Sequence, residues 1–285
     1  MTRLGFDGYV EFTSSFSPCA NISHIIFDFD GTLSLIRQGW PEVMLPLFLE
    51  VLPRRADESE AEVKQLLYDD IMRLNGKQTI YQMMQLAERI KERGGTPEDP
   101  LWYKKEYLRR LDSRIRSRIE KLQSGVAGPD EHLVFGSRRL LEELAGRNCK
   151  LYLASGTDES YVREEAALLK VDHFFQGRIY GAKDEYRSFS KKMIIDRILH
   201  ENSIPGSQLL AFGDGYVEIE NTKEVGGMAV AVASDEANNG SGNVDPWKRQ
   251  RLLGVGADVV IPDYRDALPL LREITGKTAI SNSRA

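Results

Sequence analysis

Cysteine is nearly absent. Cys19 and Cys149 are the two thiols in 285 residues, far apart and without the companions of a zinc site or redox pair. A disulfide framework is excluded, and free thiols in a reducing compartment are expected. Long apolar runs are missing too, since none approaches the roughly 18–20 residues of a membrane span. No basic-then-apolar segment opens the chain, so the expectation is a cytoplasmic protein. Positive charge is not in excess: Lys+Arg 38 against Asp+Glu 43 gives a net charge of -5, which argues against a nucleic-acid footprint. Only RRLDSRIRSRIEK (109–121) is locally basic. There Leu108, Leu111, Ile115, Ile119 and Leu122 recur at helical spacing, as on a helix whose other face is solvated.

What is present is an ordinary globular composition, 41% hydrophobic and 9% aromatic, enough for a sizeable core in one large or two medium domains. From about residue 146 onward, short apolar runs alternate with helical patterns, as in a parallel sheet covered on both faces. Strands are expected at 149–155, 174–181, 208–214, 227–233 and 257–263, with helices at 160–170 and 191–201. HIIFDFD (24–30) reads as another buried strand, far upstream of the rest. The gap is helical, with one-sided patterns at 61–74, 78–90 and about 101–123, and a shorter helix at 40–52. The expected architecture is α/β: a parallel-sheet core of 1–34 and 136–285, with a helical bundle of 35–135 inserted directly after the first strand. GRNCK, GGTPEDP and SDEANNGSGNVDP read as loops, and the first 20 or so residues as a surface hairpin or unordered arm.

HIIFDFDGTL (24–33) poses the chemical question, because Asp28 and Asp30 end a run that should bury itself. An unpaired buried carboxylate costs several kcal/mol unless it protonates or meets a cation. Ligands of parallel sheets gather at the carboxyl ends of the strands. Ser155-Gly156 in LASGT and Asp214 in FGDGYVE fall at such ends, and Lys191-Lys192 open the helix before the latter. Three acids, a hydroxyl and a lysine converging on one crevice would suit a divalent, oxygen-loving cation and an anionic ligand. Ser190 as N-cap would set both lysines in a first turn, where the macrodipole disfavours cations unless a phosphate is near.

These motifs in this order resemble the haloacid dehalogenase superfamily, in its phosphatase branch with a helical cap after the first motif, similar to phosphoglycolate phosphatase and β-phosphoglucomutase. DFDGT (28–32) matches D-x-D-x-T, Ser155 ends the second motif, and Lys191 precedes FGDGYVE at the family's spacing. The resemblance implies a Rossmann-like core and a Mg²⁺-dependent phosphomonoesterase acting on a small phosphorylated metabolite, such as a sugar phosphate or phosphoglycolate-like acid. It implies that Asp28 attacks phosphorus and that Asp30 protonates the leaving oxygen, then activates water. Asp28, the Asp30 carbonyl and Asp214 would hold the metal, while Lys191, Ser155 and the Gly156 N–H would bind the phosphoryl oxygens and Thr32 would orient the loop.

Glu218 stands where many relatives carry a second Asp, so direct coordination, contact through water or an indirect role all remain open, as does Lys192 in place of Lys191. Asp30 disfavours dehalogenase and phosphonatase chemistry, whose enzymes lack it. A phosphomutase is the alternative, and a noncatalytic phosphate-binding module a more distant one. RLNGKQT (73–79) joins two helical patterns of the cap, and Asn75-Gly76 is a turn signal. Because such loops descend onto the site in this family, Lys77, and with it Gln78, is expected to contact substrate beyond the phosphate.

Overall fold

The computed structural model describes residues 3–147 and 149–276; Asn148, within the expected GRNCK turn, lies outside them, as do residues 1–2 and 277–285. The strands are β1 Arg3–Gly5, β2 Val10–Phe12, β3 His24–Phe27, β4 Lys150–Asp158, β5 Ile179–Ala182, β6 Leu209–Gly213, β7 Met228–Val232 and β8 Val259–Ile261. They form one sheet in the order β1-β2-β8-β7-β6-β3-β4-β5. From β3 to β8 the strands pair in parallel, and the β1–β2 hairpin joins the β8 edge antiparallel. The N-terminal segment is thus a hairpin that extends the sheet.

The helices are α1 Pro41–Val51, α2 Glu60–Arg73, α3 Thr79–Glu92, α4 Pro100–Gln123, α5 Ser137–Gly146, α6 Glu159–Leu168, α7 Asp172–Phe175, α8 Lys191–Asn202, α9 Tyr216–Glu224, α10 Pro246–Gly254 and α11 Ala267–Thr275. Alternation along β3 sorts the two faces of the sheet. Ile25 and Phe27 join the apolar residues of α5, α6, α7 and α11, whereas Ile26 packs with Ile194, Ile195 and Ile198 of α8. Continuous β-branched and aliphatic strands such as MAVAV are fully buried, as a sheet covered on both sides requires.

Helices α1 to α4 fill the gap between β3 and β4. Local chemistry starts two of them: Ser59 and Glu62 form a capping box on α2, and Asp99 accepts from the Leu101 N–H before Pro100 opens α4. Their apolar faces do not form a separate core. Met44, Phe48, Leu67, Met83 and Tyr107 belong to the same buried cluster as Phe27, Phe29 and Leu33.

The strand expected at 174–181 starts late. Phe174 and Phe175 belong to α7, because Gln176 (φ 49) and Gly177 (φ 81) turn the chain through left-handed backbone before β5 begins at Ile179. Conversely, β4 continues past Ser155 to Asp158, with a register irregularity between Ala154 and Asp158.

Candidate active site

Strand β3 lies between β4 and β6, with Phe27 opposite Leu153 on one side and Phe212 on the other. That register brings the ends of three strands together. Asp28 continues the ladder with its N–H donating to the Phe212 carbonyl at 3.0 Å. The Phe29 side chain is wholly buried in the core, while the N–H groups of Thr32, Leu33 and Ser34 all turn back onto its carbonyl at 3.2, 2.8 and 2.8 Å. Gly31 (φ +73) is required by space as well as by φ, since a Cβ there would lie 2.3 Å from Asp214 Oδ2.

Lys191 opens α8, where Ser190 accepts from the Met193 N–H. Its buried ammonium stands 2.9 Å from Asp28 Oδ1 and 2.8 Å from Glu218 Oε2. Burial alone would lower its pKa, but the two carboxylates outweigh that and hold it protonated. The Asp28 carboxyl is raised well above the ordinary range, chiefly by burial, with Glu218 and Asp214 adding to the effect and Lys191 opposing it. Lys192 points elsewhere: it is exposed and paired with Glu224.

Asp30 receives the Thr157 hydroxyl at 2.8 Å and the Ser155 hydroxyl at 3.3 Å on Oδ2, and its Oδ1 has no hydrogen-bond partner among the described residues. Burial raises its pKa, against the pull of Arg37 and of the two hydroxyls. Thr32 is fully buried and binds Asp214 instead of facing the cavity. Its Oγ1 accepts from the Asp214 N–H at 2.9 Å and donates to Oδ1 at 3.3 Å. Glu218 is committed twice, to Lys191 through Oε2 and to the Gly215 N–H through Oε1 at 2.7 Å.

Asp28, Asp214 and Glu218 are all buried and present oxygens within 4.8 Å of one another. This hard-oxygen donor set is the kind that suits a small divalent cation. Lysine already balances part of its charge. Lys248 of α10 lies 2.9 Å from Asp214 Oδ2 and 2.6 Å from Glu236 Oε1, and reaches Ser234, whose hydroxyl donates to the Gly31 carbonyl.

The α2–α3 connection closes over these residues. A Cβ on Gly215 would lie 2.9 Å from the Cα of Gly76, and Arg251 donates to the carbonyls of Met72 and Arg73 at the end of α2. Between connection and sheet lies a pocket of about 690 Å³, open mouth included, whose lining includes Asp28, Asp30, Ser155, Gly156, Lys191 and Asp214. Lys77 lines it from above, with its ammonium 5.7 Å from the Tyr81 ring centroid. Gln78 does not. It is buried, and its amide donates to the carbonyls of Tyr186 and Phe189 at 2.9 and 2.7 Å, which fastens the connection to the α/β core.

Sequence reasoning missed several participants. Arg37 and Thr157 sit near recognised motifs but carry no spacing signal of their own. Glu236 lies in SDEANNGSGNVDP, which composition marks as loop, and Lys248 in the helix after it, where no element was expected. A charged pair 12 residues apart announces nothing until the chain folds back.

Fold and site together define an α/β protein of the Rossmann-like kind with an acid-rich crevice at the strand ends. The chain belongs to the haloacid dehalogenase-like hydrolases, whose family profile matches residues 22–226. It is similar in fold to a predicted phosphoglycolate phosphatase from Haemophilus somnus 129PT (15% identity, 88% of this chain and 98% of that one, TM-score 0.58). A β-phosphoglucomutase from Clostridium difficile is comparable (12% identity, 90% and 97%, TM-score 0.59), as is a predicted phosphatase from Clostridium acetobutylicum (13%, 90% and 100%, 0.57). The search of curated proteins finds no match. No helix among the described residues is long and apolar enough to cross a membrane.

Proposed function

We propose that the protein is a Mg²⁺-dependent phosphomonoesterase for a small phosphorylated metabolite, working through a phosphorylated Asp28. The observation that carries this reading is the pair of aspartates two residues apart in different surroundings: Asp28 against an ammonium and other carboxylates, Asp30 against hydroxyls. Burial raises both carboxyls, so the contacts distinguish them: the ammonium against Asp28 favours the ionised form that a nucleophile needs, and the hydroxyls around Asp30 leave it free to carry a proton as an acid must.

In this reading Asp28 attacks phosphorus while Asp30 gives its proton to the departing ester oxygen. Asp30 then removes a proton from the water that hydrolyses the acyl phosphate. Lys191 holds Asp28 in line and, with Ser155 and the Gly156 N–H, meets the phosphoryl oxygens. Asp28, Asp214 and the Asp30 carbonyl would hold Mg²⁺, which when bound neutralises developing phosphoryl charge. Glu218, with both oxygens engaged, acts through Lys191. The 35–135 segment is a cap in this reading, and Lys77 its contact to the leaving group. A small pocket beneath the α2–α3 connection favours small diffusible esters over macromolecules.

Inorganic phosphate release from a panel of phosphorylated metabolites, with and without Mg²⁺, tests the proposal. Isomerised sugar phosphate without free phosphate would identify a mutase. No turnover of any ester, generic aryl phosphate included, would overturn the enzyme reading.

A further inference from the structure

Arg37, Lys191 and Lys248 are buried cations around the crevice, and they hold different carboxylates. Arg37 is fastened to Glu165 at 2.7 Å, and Lys191 to Asp28 and Glu218. Lys248 has no task in the proposed phosphoryl chemistry. It comes from α10, and both it and its partner Glu236 lie beyond residues 22–226, which the family profile matches.

The Lys248 ammonium stands 2.9 Å from Asp214 Oδ2, 2.6 Å from Glu236 Oε1 and 3.2 Å from the Ser234 hydroxyl. Ser234 in turn donates to the Gly31 carbonyl at 2.8 Å, which ties the late loop to the DFDGT turn. Gly31 closes a further side of Oδ2, since a Cβ there would lie 2.3 Å from it and 2.9 Å from Glu236 Oε1. The other Asp214 oxygen, Oδ1, meets the Thr32 hydroxyl at 3.3 Å, a long contact for a hydroxyl donor. One oxygen of Asp214 is thus gripped by a charge and walled by main chain, and the other is loosely held.

The same asymmetry runs through the acidic cluster. Asp28, Asp214 and Glu218 each give one oxygen to an ammonium. None of the three can face a metal with both oxygens unless two cations crowd one carboxylate, which a low-dielectric site disfavours. Ion size then matters. Mg²⁺ keeps several waters in a tight octahedron and takes carboxylates one oxygen at a time, whereas Ca²⁺ collects roughly six to eight oxygens and often grips a carboxylate by both.

We infer that Lys248, held by Glu236, determines the selectivity of the cation site: by occupying Asp214 Oδ2 it limits Asp214 to one coordinating oxygen and so favours Mg²⁺ over Ca²⁺. The inference rests on the metal-dependent reading above and deepens it. Lys248 acts through Asp214 and is therefore a positioning residue.

The test is calorimetric titration with magnesium and calcium chloride of wild-type protein, Glu236→Gln and the double variant Lys248→Met/Glu236→Gln. The double variant removes one charge of each sign, so the general attraction of the site for cations stays near that of wild type. Thermal melts check each fold. Wild type should bind Mg²⁺ more tightly than Ca²⁺, and this ratio is a test even without the variants. Glu236→Gln should keep the ratio, because the amide oxygen can still accept from Lys248. The double variant should shift it toward Ca²⁺ by about 10-fold or more. A merely structural role would weaken both ions together and leave the ratio alone. A wild type that prefers Ca²⁺, or a ratio unchanged in the folded double variant, overturns this inference alone. Binding of neither ion by wild type overturns the metal-dependent reading and this inference with it.

Discussion

Gly156 and Lys77 meet backbone to backbone: a Cβ built on Gly156 would lie 2.5 Å from the Lys77 carbonyl oxygen. The neighbour is main chain, so it cannot swing aside. Gly156→Ala should therefore force the α2–α3 connection off the sheet, with strain of about 1–3 kcal/mol and a fall in kcat/KM of about 10-fold or more. Steady-state kinetics and faster amide exchange over 74–79 would register it. Unchanged kinetics and exchange would mean that the contact is not part of the working enzyme.

Asp28→Asn should abolish turnover with the fold intact, because the amide has nearly the shape of the carboxylate but cannot accept the phosphoryl group. Asp30→Asn should be severely impaired yet keep part of its activity on aryl phosphates, whose leaving groups need little protonation. Equal losses on aryl and alkyl phosphates would remove the acid role from Asp30.

Metal titration by calorimetry should separate Asp214 from Glu218. Asp214→Ala should lose divalent-cation affinity the more severely. Glu218→Ala should chiefly slow turnover, since it frees Lys191 from a 2.8 Å ion pair. Equal loss of affinity in the two variants would make Glu218 a direct ligand.

Lys77→Ala should lower kcat/KM for the best metabolite by more than for a generic aryl phosphate. The ammonium lines the pocket from an exposed position, so little stability should change. A selectivity ratio equal to that of wild type would return Lys77 to the surface.

Burial pushes the Glu165 carboxyl from its ordinary 4.5 up to about 7, so the folded chain binds this proton more tightly than the unfolded one. The stability gained is complete below about pH 4.5 and lost as pH rises through about 7. Glu165→Gln removes the titration. Relative to wild type, it should gain about 2–3 kcal/mol between pH 5 and pH 8, read from urea unfolding at both. A difference independent of pH would show that Arg37 holds Glu165 ionised throughout.

The sequence by itself determined the alternation of strands and helices, the run of helices after HIIFDFD, and the placement of Asp28, Asp30 and Asp214 just past strand ends. Local periodicity and turn chemistry carry that information, because each signal spans only a few residues. Tertiary structure alone set Lys191 against Asp28 and Lys192 against Glu224, since adjacent positions on a helix point about 100° apart and helix start cannot be read to one residue. It also fastened the Gln78 amide to the Tyr186 and Phe189 carbonyls, and brought Arg37 to Asp30 and Lys248 to Asp214. The last contact joins residues 34 positions apart on different elements. Nothing local in the sequence encodes such approaches: they exist because a shared apolar core fixes where the insertion and the late loop come to rest.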